Sequence, residues 1–277
     1  MSAPLSVTAA RVPLPIDALR RTRQAARFGG TIHYFDSIDS TNTHARRLAL
    51  EGAAEGTVVI AETQTKGRGR LGRAWVSPPF RNLYLSIIVR PPIATADAPQ
   101  LVLVAGLAVA ETVREWTARA AIKWPNDVLV DGRKVAGILT EMDADDDRVR
   151  FVIIGIGVNL NSVATDFPPE LRDKAVGLCT AVGAPIDRVA FTDHLLPRLE
   201  ERYELFVHQG FAAVGPLWEG LSCLTGKPVE VDDGYRRYAG VAVGIAGDGS
   251  LRLRDATGSE IRVVVGDVTV VGGYDGA

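Results

Sequence analysis

The densest chemistry in the sequence lies in Gln64-Thr65-Lys66-Gly67-Arg68-Gly69-Arg70-Leu71-Gly72-Arg73-Ala74-Trp75, which sets one lysine and three arginines among three glycines. A guanidinium carries a permanent charge on a planar fork that matches carboxylates and phosphates. Glycine lets a backbone approach a ligand closely and adopt positive φ. A loop of this make-up suits closure over an anion, or over a reaction that creates one. Gly67, Gly69 and Gly72 also satisfy G-x-G-x-x-G. The dinucleotide fingerprint needs a strand before it and a helix opening on it. A strand is expected at 57–62, but Trp75-Val76-Ser77-Pro78-Pro79 follows, and adjacent prolines do not start a helix interior. The dinucleotide-fold reading is set aside on that ground. For the loop taken alone, a solvated basic turn is the plain alternative.

Three further runs carry polar chemistry. Asp39-Ser40-Thr41-Asn42 offers four N-cap residues in succession. One cap suffices, so Ser40, Thr41 and Asn42 can equally form a hydrogen-bonding wall at the positive end of a helix. Lys123-Trp124-Pro125-Asn126-Asp127 sets a lysine, an amide and a carboxylate at an irregular point, since Pro125 cannot donate to a sheet ladder. Asp131-Gly132 signals a tight turn, and the returning arm at 133–141 carries Lys134. In the run from Val149 to Asn161, Gly155 and Gly157 leave space for a packed helix or for a flat ligand. Asn159, at the end of that run, could offer its amide to a purine edge. The aspartates at 143–147 read as a solvated turn, because the EF-hand glycine and distal glutamate are missing. No Ser-His-Asp or Cys-His constellation stands out.

The elements that must hold these runs follow from periodicity and turn signals. A short first helix is expected at about 17–28, with a disordered tail before it. Its Arg20, Arg21 and Arg23 make a transit peptide the other reading. Strands are expected at 32–36, 57–62 and 82–89, the last apolar on both faces and therefore central. Helices are expected at 43–53 and 97–121, then two short strands around Pro125 and strands at 133–141 and 149–161. Residues 162–185 read as an irregular connection, and 188–208 and 211–221 as helices. The hairpin at Asp131-Gly132 excludes a purely parallel sheet. From about Leu224 the composition changes to short strands at 229–231, 238–245, 251–254 and 261–265, split by glycine turns. That pattern reads as a small β-barrel or sandwich. At roughly fifty residues it would bury too little to be secure alone, so docking on the first domain is expected.

The totals bound the function. The chain has 277 residues and a formal net charge of −2, which does not suggest a strongly basic nucleic-acid binder. Cys179 and Cys223 have no metal-type spacing and fit a reducing cytoplasm. No apolar run reads as long and uninterrupted enough to span a membrane, and no signal-peptide core is present.

Taken in order, the motifs resemble biotin protein ligase, the family that attaches biotin to a carboxylase carrier domain. They are Asp39 to Asn42, Gly67 to Trp75, Lys123 to Asp127, and Arg133-Lys134-Val135-Ala136-Gly137-Ile138-Leu139. The glycine-arginine loop and the Lys-Trp-Pro-Asn-Asp segment match without a substitution. The resemblance covers about 32–161 strongly, and the C-terminal part by position and pattern. It implies an α+β fold of the biotin/lipoate ligase kind, with a mixed, mostly antiparallel sheet, helices packed on one face, and a small SH3-like β-barrel after it. The expected division is a tail and short helix at 1–30, a catalytic domain at 31–223 and the SH3-like domain at 224–277.

The resemblance also implies ATP and biotin as substrates, with Mg²⁺. Ser40, Thr41, Asn42 and Gln64 would hold the biotin ureido ring, and Arg68, Gly69 and Arg70 would close over carboxylate and α-phosphate. Lys134 would bridge those groups as the first catalytic candidate, with Arg68 and Arg70 beside it. Arg70, Trp75, Asn126, Asp127, Lys134 and Asn159 would bind the nucleotide, Trp75 near the adenine and Asn159 on its edge. Asp127 would hold the metal or orient a neighbouring lysine. The partner implied is a biotin carboxyl carrier domain, with no membrane. Some relatives carry an N-terminal winged helix and act as repressors; about thirty residues before the first strand are too few for that, so no DNA binding is expected. A cytoplasmic monomer or weak homodimer is expected, with 148–158 as a dimer edge. The competing readings are a lipoate or octanoate ligase or transferase of the same fold, and a non-catalytic adenylate-binding regulator.

Overall fold

The computed structural model describes residues 11–274. A seven-stranded sheet is built from β1 (Ile32–Phe35), β2 (Val58–Ala61), β3 (Leu83–Val89), β4 (Ala120–Lys123), β5 (Asp127–Val130), β6 (Arg133–Asp145) and β7 (Arg148–Val158). Its order is β1-β2-β3-β7-β6-β5-β4. β1 and β2 are parallel, and every other neighbouring pair is antiparallel. The sheet is thus mixed and mostly antiparallel, as expected. β3 is buried at every position and lies inside the sheet. β7 is interior as well, pairing with β3 on one side and β6 on the other, so the dimer-edge expectation for 148–158 fails.

Helices cover both faces rather than one, because the strand period of two sends apolar side chains both ways. On one face lie α3 (Leu101–Arg114) and α5 (Arg188–Gln209), packed over Val58, Ile60, Leu85 and Ile87. On the other, α2 (Thr41–Leu50) sets Ala45 and Ala49 against Val59, Ile88, Phe151 and Ile153. The helix expected at 97–121 is shorter. A 3₁₀ segment at Thr95–Gln100 containing Pro99 precedes it, and Ala120 is drawn into strand pairing with Val130. By length and composition Thr95–Arg114 passes as a membrane span, contrary to expectation, but 72% of its window is buried inside the protein.

Other boundaries shift for local reasons. α1 (Ile16–Arg23) stops early, where the Arg23 guanidinium donates to Phe28 O at 2.9 Å and 3.2 Å. Residues 1–10, most of the expected disordered tail, lie outside the described residues. β6 runs on to Asp145, so the acidic turn shrinks to Asp146-Asp147. Arg46 and Arg150 pair with Asp143 at 3.0 Å and 3.2 Å, which lets that carboxylate sit in the ladder. The connection at 162–185 holds a short helix α4 (Leu178–Val182) and two 3₁₀ turns. α5 opens on Asp187, whose carboxylate accepts from Val189 N and Ala190 N at 2.8 Å and 3.1 Å, and α6 (Phe211–Glu219) follows it.

The C-terminal unit is a five-stranded antiparallel sheet of β8 (Pro228–Asp232), β9 (Arg237–Ile245), β10 (Leu251–Arg254), β11 (Glu260–Val263) and β12 (Asp267–Val270). Its order is β11-β10-β9-β8-β12, consistent with a small SH3-like domain. Among the described residues no ladder joins β11 to β12, so barrel closure is not seen. The sequence reading missed β12 altogether, since its four residues alternate too briefly to register. The unit docks as expected: Val229, Ala242 and Leu251 join the core of the large sheet, and Trp124 Nε1 donates to Gly249 O at 2.9 Å.

Candidate active site

A cavity of about 810 Å³ opens between the N-terminus of α2, the ends of β5, β6 and β7, the arginine loop and β12. Every site residue expected from the sequence lines it.

At one end lies the start of α2. Ser40, Thr41 and Asn42 are 3%, 4% and 4% exposed, an unusual burial for three polar side chains in a row. None of them caps the helix. Gln64, from the loop, does so: its Oε1 accepts from Thr41 N at 2.9 Å and Thr41 Oγ1 at 3.1 Å. Ser86 Oγ lies 2.8 Å from Thr41 Oγ1 and 2.6 Å from Asn42 Oδ1, and Asn42 Nδ2 donates to Glu141 Oε1 at 3.1 Å. Simple capping therefore does not account for these three side chains. Sequence reasoning missed Ser86 and Glu141; the signal for Ser86 is a lone hydroxyl inside the apolar run Leu83–Val89.

The two glycines of β7 are needed for room. A Cβ on Gly155 would sit 2.1 Å from Asn42 Oδ1, and one on Gly157 would sit 2.5 Å from Trp75 Cε2. Trp75 also lies over Gly137 of β6, where a Cβ would meet its Cζ3 at 2.9 Å. The space is thus taken by a helix start and an indole. Trp75 Nε1 is buried without an acceptor among the described residues.

The loop is a short excursion closed by Trp75 N donating to Gly67 O at 2.9 Å, with a 3₁₀ turn at Arg70–Gly72 and Leu71 at φ 55°. No helix opens on the glycines, which excludes the dinucleotide fold. Protein carboxylates answer its charge. Arg68 Nη2 lies 2.8 Å from Glu141 Oε1, and Arg73 Nη2 lies 2.8 Å from Asp267 Oδ1. Arg70 donates to Asn126 Oδ1 and Gly266 O, each at 3.3 Å, and burial pulls its guanidinium below the usual range. The loop leaves β2 through Glu62, which is 1% exposed. That carboxylate accepts from Leu14 N at 2.5 Å, Tyr34 Oη at 2.7 Å and Arg188 at 2.6 Å and 3.1 Å. The sequence reading gave Glu62 no part.

Lys134 opens β6 with its backbone clamped by the connection: its N donates to Lys174 O at 2.8 Å, and its O accepts from Val176 N at 3.0 Å. Its Nζ pairs with Asp127 Oδ1 at 2.5 Å and stands 5.3 Å from the centre of the Trp75 ring. Asp127, expected to hold a metal or to orient a neighbouring lysine, pairs here with Lys134. Among the described residues no group of three or more His, Cys, Asp or Glu could hold a metal by itself. Asn126 is spent on the protein: Nδ2 donates to Ile138 O at 3.0 Å while Oδ1 takes Arg70. Asn159 is buried beside Lys134 O, 3.5 Å from its Nδ2. Lys123, Asp267 and Tyr274 also line the cavity and were given no role from sequence.

Cations and a wall of uncharged polar side chains in one cavity suit an acid with a polar ring, joined to a phosphate. Comparisons with known proteins point the same way. The model of the Biotin/lipoate A/B protein ligase family matches residues 34–159. The bifunctional ligase/repressor BirA of Bacillus subtilis is 42% identical over 231 residues, 83% of this chain and 71% of that protein. The biotin--[acetyl-CoA-carboxylase] ligase of Paracoccus denitrificans is 35% identical, over 80% of this chain and 94% of its own. The biotin protein ligase from Aquifex aeolicus in complex with biotin and ATP superposes with a TM-score of 0.74 at 30% identity, over 87% and 98% of the two chains. Likeness of this extent, carried by the same residues that build the cavity, makes the chain a member of the biotin protein ligase family.

Proposed function

We propose that this protein activates biotin with ATP as biotinyl-5′-adenylate and passes the biotinyl group to a lysine of a biotin carboxyl carrier domain. The observation that carries the reading is one cavity lined both by the buried hydroxyls and amides at the start of α2 and by Lys134, Arg68 and Arg70. In the first step a biotin carboxylate oxygen attacks the α-phosphorus and pyrophosphate leaves. In the second a carrier amine attacks the acyl carbon and AMP leaves. Both reactants of the first step are anionic, and negative charge grows on the α-phosphoryl oxygens, so fixed cations are the main requirement. Lys134 is the central one, exchanging Asp127 for the substrate oxygens. No enzyme nucleophile is needed.

Ser40, Thr41, Asn42 and Gln64 take the ureido ring, whose two donors and one acceptor need amides and hydroxyls. A linear lipoyl or octanoyl chain would leave that buried wall unmatched, which costs affinity. Trp75, Arg70 and Asn159 serve the adenylate. Asn126 acts through Arg70 rather than on the nucleotide. Mg²⁺ fits as the companion of the phosphates, since this ion commonly takes one or two carboxylates and keeps phosphate and water ligands. Asp127 would hold it once Lys134 turns to substrate, and the ion would neutralise phosphate charge. The catalytic domain is read as 31–223 and the SH3-like domain as 224–277. A cytoplasmic monomer or weak homodimer without DNA binding fits the mildly acidic balance.

The test is biotin-dependent exchange of labelled pyrophosphate into ATP, with lipoate and octanoate in parallel. Exchange with biotin alone, reduced about 10²–10³-fold in Lys134→Ala, is the expected result. Exchange with lipoate instead would keep the mechanism and overturn the ring pocket. Tight biotin binding without exchange would favour the non-catalytic regulator.

A further inference from the structure

Six cationic side chains and three carboxylates line the cavity, a surplus that a bound triphosphate would balance. Most of the cations already have partners. Arg68 meets Glu141, Arg73 meets Asp267, Arg70 meets Asn126 and Gly266 O, and Lys134 meets Asp127. Lys174 has no side-chain partner among the described residues but is exposed; Lys123 differs in being half-buried as well. It is half-buried at the end of β4, in register with Asp127, yet its ammonium makes no hydrogen bond or ion pair among the described residues. Its recorded neighbour is the ring of Tyr274, with Nζ 6.0 Å from the centroid. A partly buried ammonium held over an aromatic face with no anion in direct contact is costly unless a ligand supplies one. Burial pushes the Lys123 ammonium below the usual lysine range, outweighing Asp127, which holds it up.

Tyr274 is fixed in place. Lys227 Nζ donates to its carbonyl at 3.0 Å and stands 5.8 Å from its ring. Across from it, Gly132 sits at φ +70°, and a Cβ there would lie 3.0 Å from Tyr274 Cβ. The glycine therefore serves both the hairpin turn and the close approach of this ring. Lys123, Lys134 and Tyr274 line the same cavity, with β4 three strands from β7, over which Asn42 lies.

We propose that Lys123, roofed by Tyr274, receives the β- and γ-phosphates of the nucleotide and stabilises the departing pyrophosphate. The inference rests on the adenylation reading above. As the carboxylate oxygen bonds to the α-phosphorus, the bond from that phosphorus to the bridging oxygen breaks. Its electron pair stays on the pyrophosphate, where the Lys123 ammonium balances the new charge; no proton need move. Tyr274 excludes water from that ammonium, which strengthens the attraction.

The experiment compares the full chain with Lys123→Ala, Lys123→Arg and Tyr274→Ala. Measured are pyrophosphate exchange, direct calorimetric binding of ATP and of pyrophosphate, biotin binding, and transfer from supplied biotinyl-5′-adenylate to carrier domain. Lys123→Ala should raise KM for ATP and for pyrophosphate by about tenfold or more, the worth of a hydrogen bond to a charged group. Lys123→Arg should recover part of that loss, and Tyr274→Ala should raise both constants in the same direction. Biotin affinity and transfer from supplied adenylate should hold, which also reports that the variants fold. Unchanged KM for ATP would overturn the proposal, as would a proportionate fall in transfer from the adenylate. Should the wild type fail to exchange with biotin, the adenylation reading falls; ATP and pyrophosphate affinities of wild type against Lys123→Ala still decide the phosphate contact.

Discussion

Gly157 has no side chain because the indole of Trp75 occupies that place. Gly157→Ala would set a methyl 2.5 Å from Trp75 Cε2. Since the ring stands on a loop and is half-buried, it should swing aside rather than strain the core. The expected stability loss is then about 1 kcal/mol, the low end for overpacking, with a clear rise in KM for ATP. Denaturant unfolding and steady-state kinetics check the pair; an unchanged KM would detach Trp75 from the nucleotide. At this scale the charged and amide residues were legible, because adenylation needs groups that stand out in sequence. Ser86 and Glu141 were not, because their value comes from facing Asn42 across the sheet, which spacing along one strand does not reveal. The motif of Asn126 is visible in sequence, but its bonds to Arg70 and Ile138 are not.

At the scale of elements, Glu62 gathers three segments at the point where β2 hands over to the loop. The N-terminal segment, β1 and α5 each donate to it, through Leu14 N, Tyr34 Oη and Arg188. Glu62→Ala would leave Arg188, 9% exposed, as a buried charge without its partner. The expected cost is about 3–5 kcal/mol in urea unfolding, with Glu62→Gln milder because it still accepts. A loss below about 1 kcal/mol would mean that the site relaxes with water. Long periodic elements such as α5 and the hydrophobic strands β3 and β7 were readable. The end of α3 was not: residues 115–121 carry no strong stop signal, and β4 forms because β5 is there to pair with it. Helices on both faces were equally hidden, since a strand apolar on both sides says that it is covered, not by what.

For the whole molecule, the join between the two sheets is the feature that matters. Asp248 belongs to the turn whose Gly249 O accepts from buried Trp124 Nε1. Burial pushes its carboxyl up, but bonds from Arg262 and Ser250 prevail, and it is held down at about 2 rather than 3.8. A depressed carboxyl contributes stability that is present above its unfolded value and lost as pH falls through the folded one. Stability of the C-terminal unit should therefore fall between about pH 4 and 2, and Asp248→Asn should flatten that limb. Tryptophan fluorescence against pH, for both proteins, is the measurement. That a β unit would dock was legible from its size; that its last strand would wall the active site was not, because nothing local in Asp267–Val270 points to Arg70. The same contact has a consequence in time. Arg70 and the Gly266 carbonyl it grips are 196 residues apart. At ribosomal rates of about 5–20 residues per second, roughly 10–40 s separate their synthesis. A nascent chain thus carries the polar wall at the start of α2 and the arginine loop well before the carbonyl that Arg70 grips is made.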